Sequence, residues 1–333
     1  MDKLAGDLSK RSIVLLAAFG AAMLLLPLFV NDYLLTVLIL ILYFAYVGQA
    51  WNVMMGFAGQ LSLGHALYVG LAAYVAAFLF KELGVPPWVG LLPAIAVAAL
   101  AGAVIGFLAL RFSVAGVYFA ILTIAFAEFA RIGFDHLTIV NGSGGYFLPV
   151  SDYGTIDLWN LRGPPTMFYY VMVAATVAAL AFCRILMRSR IGYFWLAIRE
   201  DEEAARAAGI DTVRYKIAAV VISAAMTAFG GVFYAFYYNN LFPEQVFNIS
   251  RSIELIVGPI IGGIGTLFGP IVGAFLLTGL AETLSAILED MGTNLPGIKQ
   301  LLYGLCLLVV IVALPGGVWP WLARRLGIGK DGR

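Results

Sequence analysis

Three groups of residues in this 333-residue chain are of types that could do chemistry. The first is Gly59-Gln60-Leu61-Ser62-Leu63-Gly64-His65-Ala66, followed by Tyr68 and Gly70, inside the charge-free stretch 33–80. An amide, a hydroxyl and an imidazole are costly against lipid, so they must face the protein interior or a wet route. Two readings stand side by side. Gln60, Ser62 and His65 line a passage and offer donors and acceptors to a solute's charged ends, with Gly59 and Gly64 letting it approach the backbone. Alternatively, Gln60 and Ser62 tie neighbouring helices together and His65 is a satisfied interior histidine. The second group is Arg199-Glu200-Asp201-Glu202-Glu203-Ala204-Ala205 with Arg206, Ala207, Ala208 and Gly209. The four acids suit the positive end of a helix dipole, and Gly209 suits a C-terminal stop. They predict a short helix outside the membrane whose alanines offer a smooth docking face, or simply a solvated connector. The third group, Gly265-Thr266-Leu267-Phe268-Gly269-Pro270, is a glycine-spaced interruption of an apolar run that echoes the first.

Other chemistry is missing. No G-x-x-x-x-G-K-[ST] phosphate loop occurs, and Gly327-Ile328-Gly329-Lys330-Asp331 fails both its spacing and its final hydroxyl. His65 and His136 are the only histidines and no Cys-x-x-Cys is present, so neither a metal nor another cofactor is expected. No Ser-His-Asp partners can be identified, and the chain does not read as an enzyme. Glu128 and Arg131 can pair at i,i+3 on one helix face, and Glu254 and Glu282 lie near the ends of apolar runs. Only His65 and Glu128 are candidates for binding a coupling ion, and neither is central, which points to an energy source outside the chain.

The elements that must position these residues follow from composition. Hydrophobic residues make up 62% of the chain and charged residues 12%, against roughly 25% charged in soluble domains. Charge-free runs at 12–31, 33–80, 83–110, 163–183, 217–243, 255–281 and 300–323 each reach the ~20 residues that cross the hydrocarbon core as a helix. The chain reads as an all-α polytopic membrane protein, because backbone in lipid must satisfy its own hydrogen bonds. A β-barrel would alternate apolar and polar residues instead. About ten segments are expected, at 12–30, 34–50, 57–80, 88–110, 114–133, 167–187, 215–238, 253–264, 270–288 and 298–314. The run 33–80 holds two of them, with a turn near Trp51-Asn52 and Gly56. The first is read as an uncleaved span rather than a signal peptide. The glycine-interrupted pair 253–264 and 270–288 is short enough to contain a half-helix or re-entrant segment. Together with the echo of Gly59–Ala66 it suggests two pseudo-repeats, ordinary small-residue packing being the other reading. Cys183 and Cys306 fall inside spans and are expected reduced.

Orientation comes from Lys and Arg. With a cytoplasmic N-terminus and ten crossings, both termini and fifteen basic residues lie inside, among them Arg111, Arg184, Arg188, Arg190, Arg206, Arg214 and Lys216. Lys81, Arg131, Arg162, Arg251 and Lys299 lie outside. The stretch 134–166 is then an external loop, with Asp135, Asp152 and Asp157 free to meet a soluble partner or simply to face solvent. The stretch 188–214 is cytoplasmic. Phe168-Tyr169-Tyr170 and the tyrosines from Tyr234 to Tyr238 fit an interfacial aromatic belt. A net charge of +1 without a basic face argues against nucleic acid as a partner.

Glu203-Ala204-Ala205, three residues and Gly209 resemble the EAA signature of permease subunits of ATP-binding-cassette importers, although the usual isoleucine-x-leucine-proline ending is absent. Gly59–Ala66 with Tyr68, Gly70 and Ala73-Tyr74 resembles the most characteristic segment of the branched-chain amino acid (LivM/LivH) permeases. Gly116-Val117-Tyr118-Phe119-Ala120-Ile121-Leu122-Thr123, Thr138–Gly145, Ser189–Gly209 and Gly262–Pro270 resemble LivM-type subunits in the same order, over about residues 40 to 290. The resemblance implies a single permease domain over 1–333 in the inner membrane, without catalysis of its own. It would form the translocation pathway for branched-chain or related hydrophobic amino acids. The implied partners are a homologous second permease, two ATPase subunits and an external binding protein. It assigns ATPase coupling to Arg199, Glu200, Asp201, Glu202, Glu203, Ala204, Ala205 and Gly209. The residues expected to line the pathway are Gly59, Gln60, Ser62, Gly64, His65, Thr123, Glu128, Gly265 and Thr266. The competing expectation is an ion-coupled secondary transporter or channel working without ATPases.

Overall fold

The computed structural model describes residues 20, 22–112, 114, 116–149, 155–290 and 298–326. Residues 12–19 and 21 of the expected first span, Asp152, Lys3, Lys10, Arg11, Lys330 and Arg333 lie outside these. In chain order the helices are α1 (Asp32–Asn52, extended by a π turn at Val53–Phe57), α2 (Ala66–Leu83), α3 (Pro87–Arg111), α4 (Val117–His136), α5 (Pro165–Arg188), α6 (Arg190–Glu200), α7 (Glu202–Ala207), α8 (Thr212–Tyr238), α9 (Pro243–Val246), α10 (Ile249–Gly263), α11 (Gly269–Asp290), α12 (Ile298–Ala313) and α13 (Val318–Leu326). The two short strands β1 (Tyr146–Phe147) and β2 (Asn240–Leu241) pair antiparallel.

Among the described residues seven helical stretches are long and apolar enough to cross a membrane: 32–57, 66–83, 87–111, 117–136, 165–188, 212–238 and 243–263. The stretch 269–284 is shorter. Apolar side chains face outward as well as inward. On α3 Val89, Leu92, Val97, Leu100, Val104 and Phe107 form an exposed row at helical spacing. A contiguous face of this kind has no stable place in water.

The chain forms two compact units. One comprises Ala50–Phe168 and Ile185–Ile256. Its centre is α8, which packs on α2 and α3, while α2 also packs on α3. Small residues permit this. A Cβ on Gly231 would fall 2.3 Å from the Val69 carbonyl oxygen, and one on Gly102 would fall 3.0 Å from the Ala224 Cβ. In an apolar solvent burial gives little drive between helices, so close backbone approach has to supply it. Tyr74, Phe134 and Phe247 cluster with centroids 4.6 to 5.9 Å apart.

The other unit comprises residues 1–49, 169–184 and 257–333. Val37, Ile41 and Ala45 of α1 pack on Ile271 and Ala274 of α11. The glycine-interrupted region is a tight hairpin of α10 and α11. A Cβ on Gly262 would lie 1.7 Å from the Gly269 oxygen, and one on Gly273 would lie 1.8 Å from the Gly258 oxygen. Thr266 caps α11, its hydroxyl accepting from Gly269 N at 3.0 Å.

One expectation is corrected. The turn foreseen near Trp51-Asn52 and Gly56 is absent, and the segment 57–80 is not helical throughout. Helix continues to Phe57, residues 58–65 are irregular yet largely buried, and α2 starts at Ala66. Hydropathy does not distinguish a helix from a buried loop whose polar groups are met by neighbours.

Because Gly231 sits against backbone, Gly231→Val is expected to cost about 1–3 kcal/mol and to lower the Tm of the detergent-solubilised chain. A Cβ at Gly133 meets nothing within 4 Å, so Gly133→Ala is expected to leave Tm unchanged or slightly raised. Equal effects would contradict the packing described.

Candidate functional site

A chain that leaves helical geometry inside an apolar protein exposes backbone donors and acceptors that something must meet. At segment 58–65 and the first residue of α2 they are met by side chains from α1, α4 and α10. At its start Gly59 takes φ +70°, a conformation that favours glycine. The Trp51 indole N–H donates to the Ser62 carbonyl at 2.8 Å. The Leu63 N–H donates to Thr123 Oγ1 at 3.1 Å, and that hydroxyl donates to the Ala120 oxygen at 2.7 Å. Gly64 lies against the backbone of Thr123, where a Cβ would come within 2.1 Å of its oxygen. The Ala66 N–H, at the start of α2, donates to Ser252 Oγ at 3.0 Å.

His65 is the hub. Its Nε2 lies 2.9 Å from Ser223 Oγ and its Nδ1 3.3 Å from Ser62 Oγ. The Ser223 hydroxyl proton goes to the Ala50 oxygen at 2.7 Å. Ser223 Oγ therefore accepts from Nε2–H, leaving Nδ1 to accept from Ser62, which assigns the neutral Nε2–H tautomer. Ser62, His65, Ser223 and Ser252 are each fully buried. The Tyr68 ring packs edge-on to the imidazole at 5.2 Å, and its buried hydroxyl has no hydrogen-bond partner among the described residues.

Ser62, Gly64, His65 and Thr123 of the expected pathway set thus form one node, with Gly59 at its rim and Gln60 half-buried beside it. Glu128 does not join them. It lies on α4 with its side chain 47% exposed, paired to Arg131, which also holds Asp135 at 2.9 Å. Gly265 and Thr266 belong to the other unit, in the turn between α10 and α11. Sequence reasoning missed Ser223 and Ser252. Their signal was a hydroxyl within an apolar stretch of α8 and another in the first turn of α10, where a polar group left unbonded on burial is costly.

The charged stretch differs from expectation. Glu200 to Glu203 do not share a first turn. Glu200 ends α6, and Asp201 is the N-cap of α7, its Oδ1 accepting from Ala204 N at 2.9 Å. Capping outweighs continuation because Asp at that position competes for the backbone of the next turn. Gly209, at φ +85°, ends α7 as foreseen. Ala205 is buried, while Glu203, Ala204, Ala207 and Ala208 face outward. Trp195 donates its indole N–H to the Tyr215 oxygen at 2.7 Å. Glu202 pairs with Lys216, whose side chain is only 7% exposed, and with Arg206 at 3.2 Å. Arg199 remains partly exposed while donating to the Gly56 oxygen at 2.5 Å and to Glu200 at 2.9 Å.

Burial alone would raise the Glu202 carboxyl, but the hydrogen bond and charge of Lys216, aided by Thr212 and Arg206, hold it below the usual carboxylate range. The unfolded chain then binds this proton at higher pH than the folded one. Stability from the pair is expected to be present above the ordinary carboxylate pKa and lost as pH falls below it. Glu202→Gln is expected to lower Tm at neutral pH and to flatten the acid limb of a Tm-against-pH curve. An unaltered acid limb would show that the pair is not responsible. At the node, Ser223→Ala strands the Nε2–H and is expected to cost about 1–3 kcal/mol. Tyr68→Phe removes a hydroxyl without a described partner and is expected to leave Tm where it was.

Comparison with known proteins adds the family. The family described as branched-chain amino acid transport system / permease component matches residues 33–311. The high-affinity branched-chain amino acid transport system permease protein LivM of Escherichia coli K12 is 29% identical over 307 residues, covering 86% of this chain and 69% of the relative. LivH of the same organism is 29% identical over 153 residues, 46% of this chain and 47% of its own. The fructose import permease protein FrcC of Rhizobium meliloti is 28% identical over 156 residues, 46% of this chain and 42% of its own. No solved structure matches the chain. With all seven apolar helical stretches and the buried polar node inside the matched residues, the chain belongs to the branched-chain amino acid transport system permease family.

Proposed function

We propose that the chain is the transmembrane subunit of an ATP-driven importer for branched-chain or related hydrophobic amino acids, located in the inner membrane. It pairs with a homologous permease, takes its substrate from an external binding protein and is driven by two ATPase subunits that carry all nucleotide chemistry. In this reading the chain crosses the membrane ten times as two pseudo-repeats, with both termini and 188–214 cytoplasmic and 134–166 external. The observation that carries the reading is the family match through residues 33–311, which includes both the node and the α6–α7 pair. Solute identity is supported by the LivM match, which is far longer than the one to the fructose permease.

The α7 helix supplies the docking face. Glu203, Ala204, Ala207 and Ala208 are outward and three of them are small, so a partner can approach closely with little side-chain entropy lost. Gln60, Ser62, His65 and Thr123 border the pathway. Weak polar contacts suffice there, since the binding protein delivers the solute.

Co-purification of the detergent-solubilised chain with its ATPases tests the reading. Wild type is expected to retain them, and the double substitution Glu203→Ala, Gly209→Val to lose them, because Gly209 has a left-handed φ that Val resists. Solute flux driven by an ion gradient through the isolated chain would establish the secondary-transporter alternative instead.

A further inference from the structure

The α6–α7 pair has an inner side as well as an outer one, and the inner side grips the node by two separate arms. One arm is Arg199. Its guanidinium donates to the carbonyl of Gly56, in the last turn of α1's π extension, where carbonyls run out of intrahelical donors and the helix dipole is negative. Its side-chain stem lies where a Cβ on Gly59 would meet it, 3.2 Å from Arg199 Cγ. From Gly59 the chain runs directly into Ser62 and His65. The other arm is the base of α8, held by Trp195 on the Tyr215 oxygen and by Glu202 on Lys216. Eight residues beyond Tyr215, about 12 Å along the helix axis, α8 presents Ser223 to His65. The two arms therefore meet at the His65–Ser223 hydrogen bond, having approached it from opposite sides.

We propose that Arg199 is a positioning residue, a latch that transmits movement of α6–α7 to segment 58–65, rather than a contact for the ATPase. Its side chain is 31% exposed and its donors are directed at Gly56 and Glu200. Displacement of the pair moves the Gly56–Gly59 backbone relative to α8 and so opens or closes the node. A carbonyl held by a charged planar fork suits this role, because the tie is short, directional and fixed to backbone. This inference rests on the importer reading above, since it takes the driving movement from that reading.

The test has two readouts. In the solubilised chain alone, hydrogen exchange is followed at Gly59 and Gln60, whose N–H groups bond to Met55 and Met54 at 3.0 Å. In R199Q their exchange is expected to quicken about tenfold, as fits the loss of one charge-assisted hydrogen bond. In the importer reconstituted in liposomes, R199Q is expected to keep its ATPase subunits while transporting about tenfold less solute per ATP hydrolysed. R199K, which keeps the charge but not the fork, is expected to fall between. Unchanged exchange together with an unchanged transport-to-hydrolysis ratio would overturn the latch, as would loss of the ATPases with exchange unchanged. Should R199Q fail to fold, R199K decides, and wild-type exchange in that variant counts against the proposal. If the wild-type chain recovers no ATPase, the importer reading fails while the exchange result still judges the Arg199–Gly56 tie.

Discussion

The structure depends on one constraint, that backbone surrounded by apolar groups must find all its hydrogen-bond partners within the protein. Helices meet it locally, and so most of the described chain is helix. Segment 58–65 cannot. Its backbone is met by Trp51 and Thr123 and the Ala66 N–H that follows it by Ser252, each from a different helix, and its one imidazole is met by Ser62 and Ser223. The polar residues that look out of place in the sequence are the conditions under which an irregular segment survives there. That single stretch consequently ties the end of α1 with its π turn, α2, α4, α8 and the first turns of α10 to one another within the unit that holds Ala50–Phe168 and Ile185–Ile256.

A second consequence concerns small residues. Between helices that gain little from burial, contact has to come from close approach. Gly231 on Val69, Gly102 on Ala224, and Gly262 on Gly269 are all positions where a methyl group would collide. Helices packed this closely have few alternative arrangements, so movement is easier at the irregular joints: the π turn at Val53–Phe57, segment 58–65, and the break at Asp201. The charged pair α6–α7 lies against one of those joints and contains another.

Hydropathy made the apolar helices legible, and most boundaries lie within a few residues of where charge-free runs place them. It could not locate the end of α1, because Val53–Phe57 and Leu61–Leu63 are as apolar as the helices around them. What distinguished loop from helix was Gly59 at positive φ and three side-chain hydrogen-bond partners, Trp51 donating and Thr123 and Ser252 accepting, supplied from elsewhere in the chain, and a linear pattern records neither. The node was half legible. Gln60, Ser62 and His65 stood out because polar groups in an apolar run demand an account, whereas Ser223 and Ser252 were single hydroxyls that a helix can satisfy on its own carbonyls. At 199–203 the error came from treating four acids as equivalent. Asp is a better cap than helix former, so the helix restarts at that residue.

The ties in this unit share a chemical form that bears on how it could move. Trp51 on Ser62, Ser223 on Ala50, Trp195 on Tyr215 and Arg199 on Gly56 are all side-chain donors on backbone oxygens. A bond between two long side chains can absorb displacement by changing rotamers at both ends, but a bond to a carbonyl has such freedom at one end only. Indole and guanidinium are themselves planar and stiff, so slack is small even there. Displacement of one element then reaches the backbone of the next instead of being lost in side-chain rearrangement. Apolar contacts alone would not achieve this, because methyl groups slide over one another with little change in energy. Polar ties to backbone, spaced through an otherwise apolar unit, let it hold one arrangement and still pass a push from α6–α7 to His65.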